Sequence, residues 1–138
     1  MVEIHAVYEG NLRCSATHGP SGSSIETDAP VDNCGKGERF SPTDLAATSL
    51  GVCMMTIMGI YAEKNSIDLG RTTARVVKEM TPEPPRRIAK LTIEITVPLP
   101  ADHARREAIE RAAMGCPVFL SLHPEIEKAV TFSWTGEA

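Results

Sequence analysis

Ser41-Pro42-Thr43-Asp44-Leu45-Ala46-Ala47-Thr48-Ser49-Leu50-Gly51-Val52-Cys53-Met54-Met55-Thr56-Ile57-Met58-Gly59-Ile60-Tyr61-Ala62-Glu63-Lys64 decides the reading of this chain. It opens as a helix. Ser41 can accept from the first free backbone N–H groups, and Pro42 stands where its missing N–H costs nothing. Asp44 can reach back to the cap and complements the positive end of the helix dipole. Asn65 is a fitting stop. From Leu45 to Ala62 no residue is charged, and apolar side chains fall on every face instead of one stripe. Such a helix is expected to be buried all round, with Cys53 enclosed by Leu50, Val52, Met54 and Ile57. A membrane span is the rival reading, because the run approaches the ~18 residues a span requires. Thr48, Ser49, Thr56 and two glycines dilute it. A helix buried all round in a short chain needs a second layer of protein, and a partner subunit is one way to supply it.

The chain has 138 residues, enough for one domain over 1–138 with a real core. Its formal net charge is -4 and no basic stripe exists, which argues against nucleic acid as a partner. Arg86-Arg87 and Arg105-Arg106 read as solvated surface. Glu3, His5 and Glu9 interrupt the first ten residues, so no secretory h-region is expected there and the protein is expected to be cytoplasmic. Cys14, Cys34, Cys53 and Cys116 are widely spaced, with no C-x-x-C pair, which disfavours a zinc ribbon or thioredoxin-type site. In a reducing compartment such cysteines are inert core residues or redox chemistry.

Around the helix the elements fall in order. Val2 to Tyr8, Leu12 to Thr17 and Ser23 to Thr27 read as strands, separated by the turns at Glu9-Gly10-Asn11 and His18-Gly19-Pro20-Ser21-Gly22. Asp28 to Phe40 reads as a loop that delivers the chain to the cap. Arg71 to Met80 and the alternating Ile88 to Val97 make a long hairpin across a proline-rich turn. Pro98-Leu99-Pro100 is expected to break the strand. Ala101 to Met114 is an amphipathic helix ended by Gly115, and a short helical turn follows from Cys116-Pro117 through Leu122. Lys128 to Trp134 is the last strand. Three strands, a buried helix, two strands, a helix pair and a strand make an α+β domain.

Two thiols stand out by context. Cys53 is mid-helix. Cys116 precedes a proline that can be the first helical residue, and a thiol at a helix N-terminus has its thiolate stabilised. If the two meet in space they form a nucleophile and a resolving thiol. The nucleophile would attack a peroxide O–O bond to give a sulfenic acid, which condenses with the second thiol to a disulfide. The four histidines have no i, i+4 spacing, and no glycine-rich phosphate loop or serine elbow is present. Neither a metal nor another cofactor is therefore expected.

Pro42-Thr43-Asp44-Leu45, the small and apolar run to Gly51-Val52-Cys53, and Gly115-Cys116-Pro117-Val118 resemble the OsmC/Ohr family, and the order of elements is similar over nearly the whole chain. The resemblance implies an intertwined homodimer with two central helices packed antiparallel between sheets and two active sites at the interface. It implies a peroxidase acting on organic hydroperoxides, with Cys53 peroxidatic, Cys116 resolving, and a dithiol such as a lipoyl protein as reductant. It also implies an arginine beside the thiolate. Arg13 matches the position in the Ohr branch, and Arg39 is a second candidate on charge and placement. The peroxidase branches carry a glutamate directly after the helix-start proline; here that position is Thr43, with Asp44 one later. A carboxylate there lies about 15 Å along the helix axis from Cys53 and could serve only a partner's thiol, so Asp44 reads first as a capping residue.

Two functions follow. The first is a cofactor-free, cytoplasmic thiol peroxidase, dimeric, with Cys53, Cys116, Arg13, Arg39 and Asp44 as site residues. The second is a non-catalytic dimer of the same fold that binds a small hydrophobic ligand or senses redox state, and the missing glutamate favours it.

Overall fold

The computed structural model describes residues 1–137. It is an α+β chain in the expected order: β1 (Ile4–Gly10), β2 (Arg13–His18), β3 (Ser24–Asp28), a 3-10 turn at Val31–Asn33, α1 (Pro42–Lys64), β4 (Thr73–Met80), β5 (Ile88–Pro100), α2 (Arg106–Met114), α3 (Pro117–Ser121) and β6 (Glu127–Gly136). The strands form two three-stranded sheets, β1-β2-β3 and β4-β5-β6. The chain divides into two compact units, Met1–Ala46 and Ala47 onward, with the division inside α1.

The first unit is an antiparallel meander. Asn11 and Leu12, with φ 53 and 64, form the centre of the β1–β2 turn, the left-handed pair that a tight hairpin requires. Ile4 pairs with His18, Ala6 with Ala16 and Tyr8 with Cys14, while Ala16 pairs with Ile25. One face therefore carries Ile4, Ala6, Tyr8, Cys14, Ala16, His18, Ile25 and Thr27, mostly apolar. The other carries His5, Val7, Arg13, Ser15, Thr17, Glu26 and Asp28. Ile4, Tyr8 and Ile25 are all exposed, and the buried residues of this unit are polar: Asp28 and Ser41.

The second unit has an apolar core. Leu91, Ile93, Ile95 and Val97 point to one face of β5 and are buried. Their register partners on β4 and β6 include Val76, Ala74, Val130, Phe132 and Trp134. Helix α1 packs on this sheet at Gly51, where an added Cβ would stand 2.7 Å from Val76 Cγ2. Helix α2 contributes Ile109 and Ala113, both buried. It is pinned to β6 by Trp134 Nε1, which donates to Glu110 Oε1 at 2.8 Å.

Three sequence expectations are corrected. First, α1 is not buried all round within this chain: Ala47, Leu50, Gly51, Met54, Met58 and Ala62 form one buried stripe, while Val52, Thr56 and Ile60 are exposed. Second, β5 continues through Pro98-Leu99-Pro100. Its pairing with β4 ends at Thr96, so a missing proline N–H costs no bond on that side, and the β6 ladder shifts register between Val97 and Pro100. Third, α2 begins at Arg106, not Ala101. The preceding residues are turns in which His103 N–H donates to Pro100 O and Arg106 N–H to His103 O.

Candidate active site

Cys53 lies at the middle of α1 and Cys116 at the start of α3, and the fold brings them together. The two side chains are in hydrogen-bonding contact, and both are free thiols. Their settings differ. Cys53 is half-buried, more open than enclosure on every side would leave it. Cys116 has no exposed surface at all.

The placement of Cys116 follows from local sequence. Gly115 ends α2, its N–H donating to Ala112 O, and Pro117 supplies the first helical φ of α3. Cys116, extended at φ -66 and ψ 146, is then the N-cap, and its Sγ accepts from Phe119 N–H at 3.3 Å. Sulfur takes the place that serine or aspartate oxygen ordinarily fills. Burial pushes the Cys116 thiol up, more than the N–H groups of Phe119 and Val118 pull it down, and the contact with Cys53 pushes it further up. Thiolate stabilisation at the helix start, expected from sequence, is outweighed here by desolvation. The Cys116 thiol therefore holds its proton more firmly than an ordinary cysteine.

In the first unit, Arg13 forms a two-pronged ion pair with Asp28, Nε to Oδ1 at 2.8 Å and Nη2 to Oδ2 at 2.9 Å, and Nη2 also reaches Glu38 Oε2 at 3.4 Å. Asp28 Oδ2 further accepts the Glu38 N–H at 3.1 Å. The Arg13 hydrogen bond holds the Asp28 carboxyl below its ordinary range against its own burial, and Asp28 in turn raises Arg13. Asp28 and Glu38 were not singled out by sequence, where Asp28 opens a loop. Counting the β2–β3 register, in which Arg13 and Asp28 are direct partners, is the signal that finds the pair. Cys14 lies on the opposite face from Arg13, as alternation requires.

Arg39 is exposed and pairs with Glu26, Nε to Oε2 at 3.2 Å. Asp44 is in a reciprocal cap: Ser41 N–H donates to Asp44 Oδ2 at 2.9 Å, and Asp44 N–H donates to Ser41 Oγ at 3.0 Å. Thr43 Oγ1 lies 3.2 Å from Ser41 Oγ, within the same cap. His123 is exposed, and its Nδ1 accepts from Glu125 N–H. Among the described residues no group of His, Cys, Asp or Glu side chains is arranged to hold a metal ion.

A family model described as OsmC-like protein matches residues 35–130, well over half of the chain. A solved structure from Psychrobacter arcticus 273-4, provisionally named an osmotic stress induced and detoxification response protein, is 47% identical over 96% of each chain, with a TM-score of 0.89. An organic hydroperoxide resistance protein from Elizabethkingia anophelis shares the fold at 17% identity, covering 97% of this chain and 96% of its own, with a TM-score of 0.77. An organic hydroperoxide resistance protein OsmC from Legionella pneumophila does so at 18% identity over 96% of each chain, with a TM-score of 0.70. No curated protein matches the chain by sequence. The matched segment includes both thiols and the whole of α1, and with these relatives it establishes that the chain belongs to the OsmC/Ohr family.

Proposed function

We propose that this protein is a thiol-dependent hydroperoxide reductase that works as a homodimer in the cytoplasm. The observation that carries the reading is the contact between the Cys53 and Cys116 thiols, one half-buried and one fully buried. In the oxidising half, the Cys53 thiolate attacks the terminal peroxide oxygen. The O–O bond breaks, the alkoxide leaves and takes a proton, and Cys53 becomes a sulfenic acid. The Cys116 sulfur then attacks the Cys53 sulfur, water departs, and a disulfide closes. A dithiol, such as a lipoyl protein, returns both thiols. Cys53 suits the first role because it is the more open of the two sulfurs, and Cys116 suits the second because it touches Cys53 while having no exposed surface of its own. Relatives named for organic hydroperoxide resistance favour an organic peroxide as substrate. Arg13 is the stronger arginine candidate, since Asp28 and Glu38 fix its guanidinium, whereas Arg39 sits in an exposed ion pair. Asp44 acts through the helix cap. The apolar face of β1-β2-β3 and the exposed Val52 and Ile60 of α1 support a second copy as the missing layer.

The alternative, a redox-sensing or ligand-binding dimer, draws on Thr43 at the family's glutamate position and on an Arg13 already engaged by two carboxylates. Steady-state consumption of cumene hydroperoxide and of hydrogen peroxide with a dithiol separates the two. Turnover that favours the organic peroxide, is lost in Cys53→Ser, and is reduced to a single oxidation event in Cys116→Ser is the expected result. A wild-type protein that consumes neither peroxide with any dithiol overturns the peroxidase reading.

A further inference from the structure

We infer that the reductant attacks the sulfur of Cys53, so that the mixed disulfide of the reductive half forms on Cys53 and Cys116 is the thiol set free. The inference rests on the reading above only in taking the Cys53–Cys116 disulfide as the state to be reduced. Two factors select the sulfur that an incoming thiolate attacks: its access, and the quality of the thiol that leaves. Access favours Cys53. Cys116 has no exposed surface, and its sulfur is already occupied by the N–H of Phe119 at 3.3 Å. Its surroundings on α2 include the buried Ala113. Cys53 is half-buried. Leaving-group quality does not favour this direction, because burial pushes the Cys116 thiol above the ordinary cysteine value. Access decides, since a buried sulfur can be struck only after local opening, whereas a poorer leaving group slows the exchange without forbidding it. The N–H groups of Phe119 and Val118 also offset part of that penalty by meeting the sulfur as its charge develops.

The steps balance. A reductant thiolate bonds to Cys53 Sγ as the Cys53–Cys116 bond breaks, and the electron pair stays on Cys116 Sγ, which takes a proton. The second thiol of the reductant then bonds to the first reductant sulfur. Cys53 leaves as a thiolate, ready for peroxide, and the reductant departs as its cyclic disulfide. Cys116 is never linked to the reductant.

The full chain, oxidised with diamide, tests this, with a Cys14→Ser/Cys34→Ser variant run beside it to remove the two other thiols. Mass spectrometry first verifies the Cys53–Cys116 disulfide. Excess 2-mercaptoethanol is then added, free thiols are trapped with N-ethylmaleimide, and the peptides are mapped. The expected product carries mercaptoethanol on Cys53 and maleimide on Cys116, in about tenfold or greater excess over the reverse. Equal or reversed labelling overturns the inference, as does failure of diamide to close the disulfide. A disulfide that diamide forms but cumene hydroperoxide does not overturns the peroxidase reading instead, and the site of attack is still measured.

Discussion

Sheet β1-β2-β3 and sheet β4-β5-β6 have equal numbers of strands and opposite relations to water. In β5, Leu91, Ile93, Ile95 and Val97 alternate with polar residues and are each at most 1% exposed. In β1, every residue from Ile4 to Glu9 is exposed, including Ile4 at 65% and Tyr8 at 64%. Both sheets have an apolar face by register. The second covers its face with its own helices. The first holds its strands by ladder bonds and by polar pairs such as Arg13–Asp28, Ser15–Glu9 and Thr17–Ser24 on the opposite face. A three-stranded sheet needs a covered hydrophobic face to be independently stable. The contrast teaches that the second unit buries its apolar face within the chain, whereas the first leaves Ile4, Tyr8 and Ile25 exposed, the surface that the dimer proposed above would cover.

The largest effect that tests this contrast comes from emptying the two faces in turn. Ile93→Ala removes a fully buried side chain and should cost about 2–5 kcal/mol, with a loss that does not depend on protein concentration in chemical denaturation. Ile25→Ser should act on association. Its side chain is 48% exposed in the single chain, so the change should weaken self-association by roughly tenfold, read as a dilution-dependent mass by sedimentation. A wild-type chain that stays monomeric at micromolar concentration, or an Ile25→Ser variant that associates as tightly as wild type, would remove the dimer from the argument.

A sharper test sits where α1 meets β4. Gly51→Ala places a methyl group 2.7 Å from Val76 Cγ2, and the Val76 side chain, α1 or β4 must shift. The cost should be about 1–3 kcal/mol. Because Gly51 lies two residues before Cys53 on the same helix, the shift should also change the separation of the two thiols, seen as slower disulfide closure with diamide at unchanged Cys53 alkylation. Closure at the wild-type rate, with the stability loss present, would show that the thiols adjust independently of the helix seat.

How far the sequence reaches can be read from the same elements. Local rules found what local interactions fix: the Ser41–Asp44 cap formed reciprocally as its spacing requires, and the element order held. The two thiols, marked by context and family resemblance, do meet. Non-local facts were hidden. Pro98 and Pro100 look like breakers until one knows that β4 stops pairing at Thr96. The uncharged run of α1 reports that its side chains avoid charge, yet not how many of its faces this chain covers. Asp28 reads as the start of a loop because its partner Arg13 lies across a hairpin, visible only through register. Cys116 carries the dipole argument in its sequence context, but the burial that outweighs it is a property of the packed unit.

The smallest effect, and the most local to the first sheet, is its response to acid. Arg13 holds the Asp28 carboxyl below its ordinary range. A carboxyl lowered in the folded state binds fewer protons there than in the unfolded chain, so its contribution to stability is complete above the ordinary aspartate value of about 3.9 and is lost as pH falls through the folded value. The loss should appear first at the Glu38 N–H, which donates to Asp28 Oδ2. Amide exchange of Glu38, corrected for intrinsic rate, should accelerate below about pH 4, while amides of β5, whose core holds no titrating group among Leu91, Ile93, Ile95 and Val97, keep their protection. Asp28→Asn should make the Glu38 exchange fast and nearly independent of pH across that window. If β5 loses protection together with Glu38, the two sheets respond to acid as one cooperative body, and the difference drawn between them is one of burial alone and not of stability.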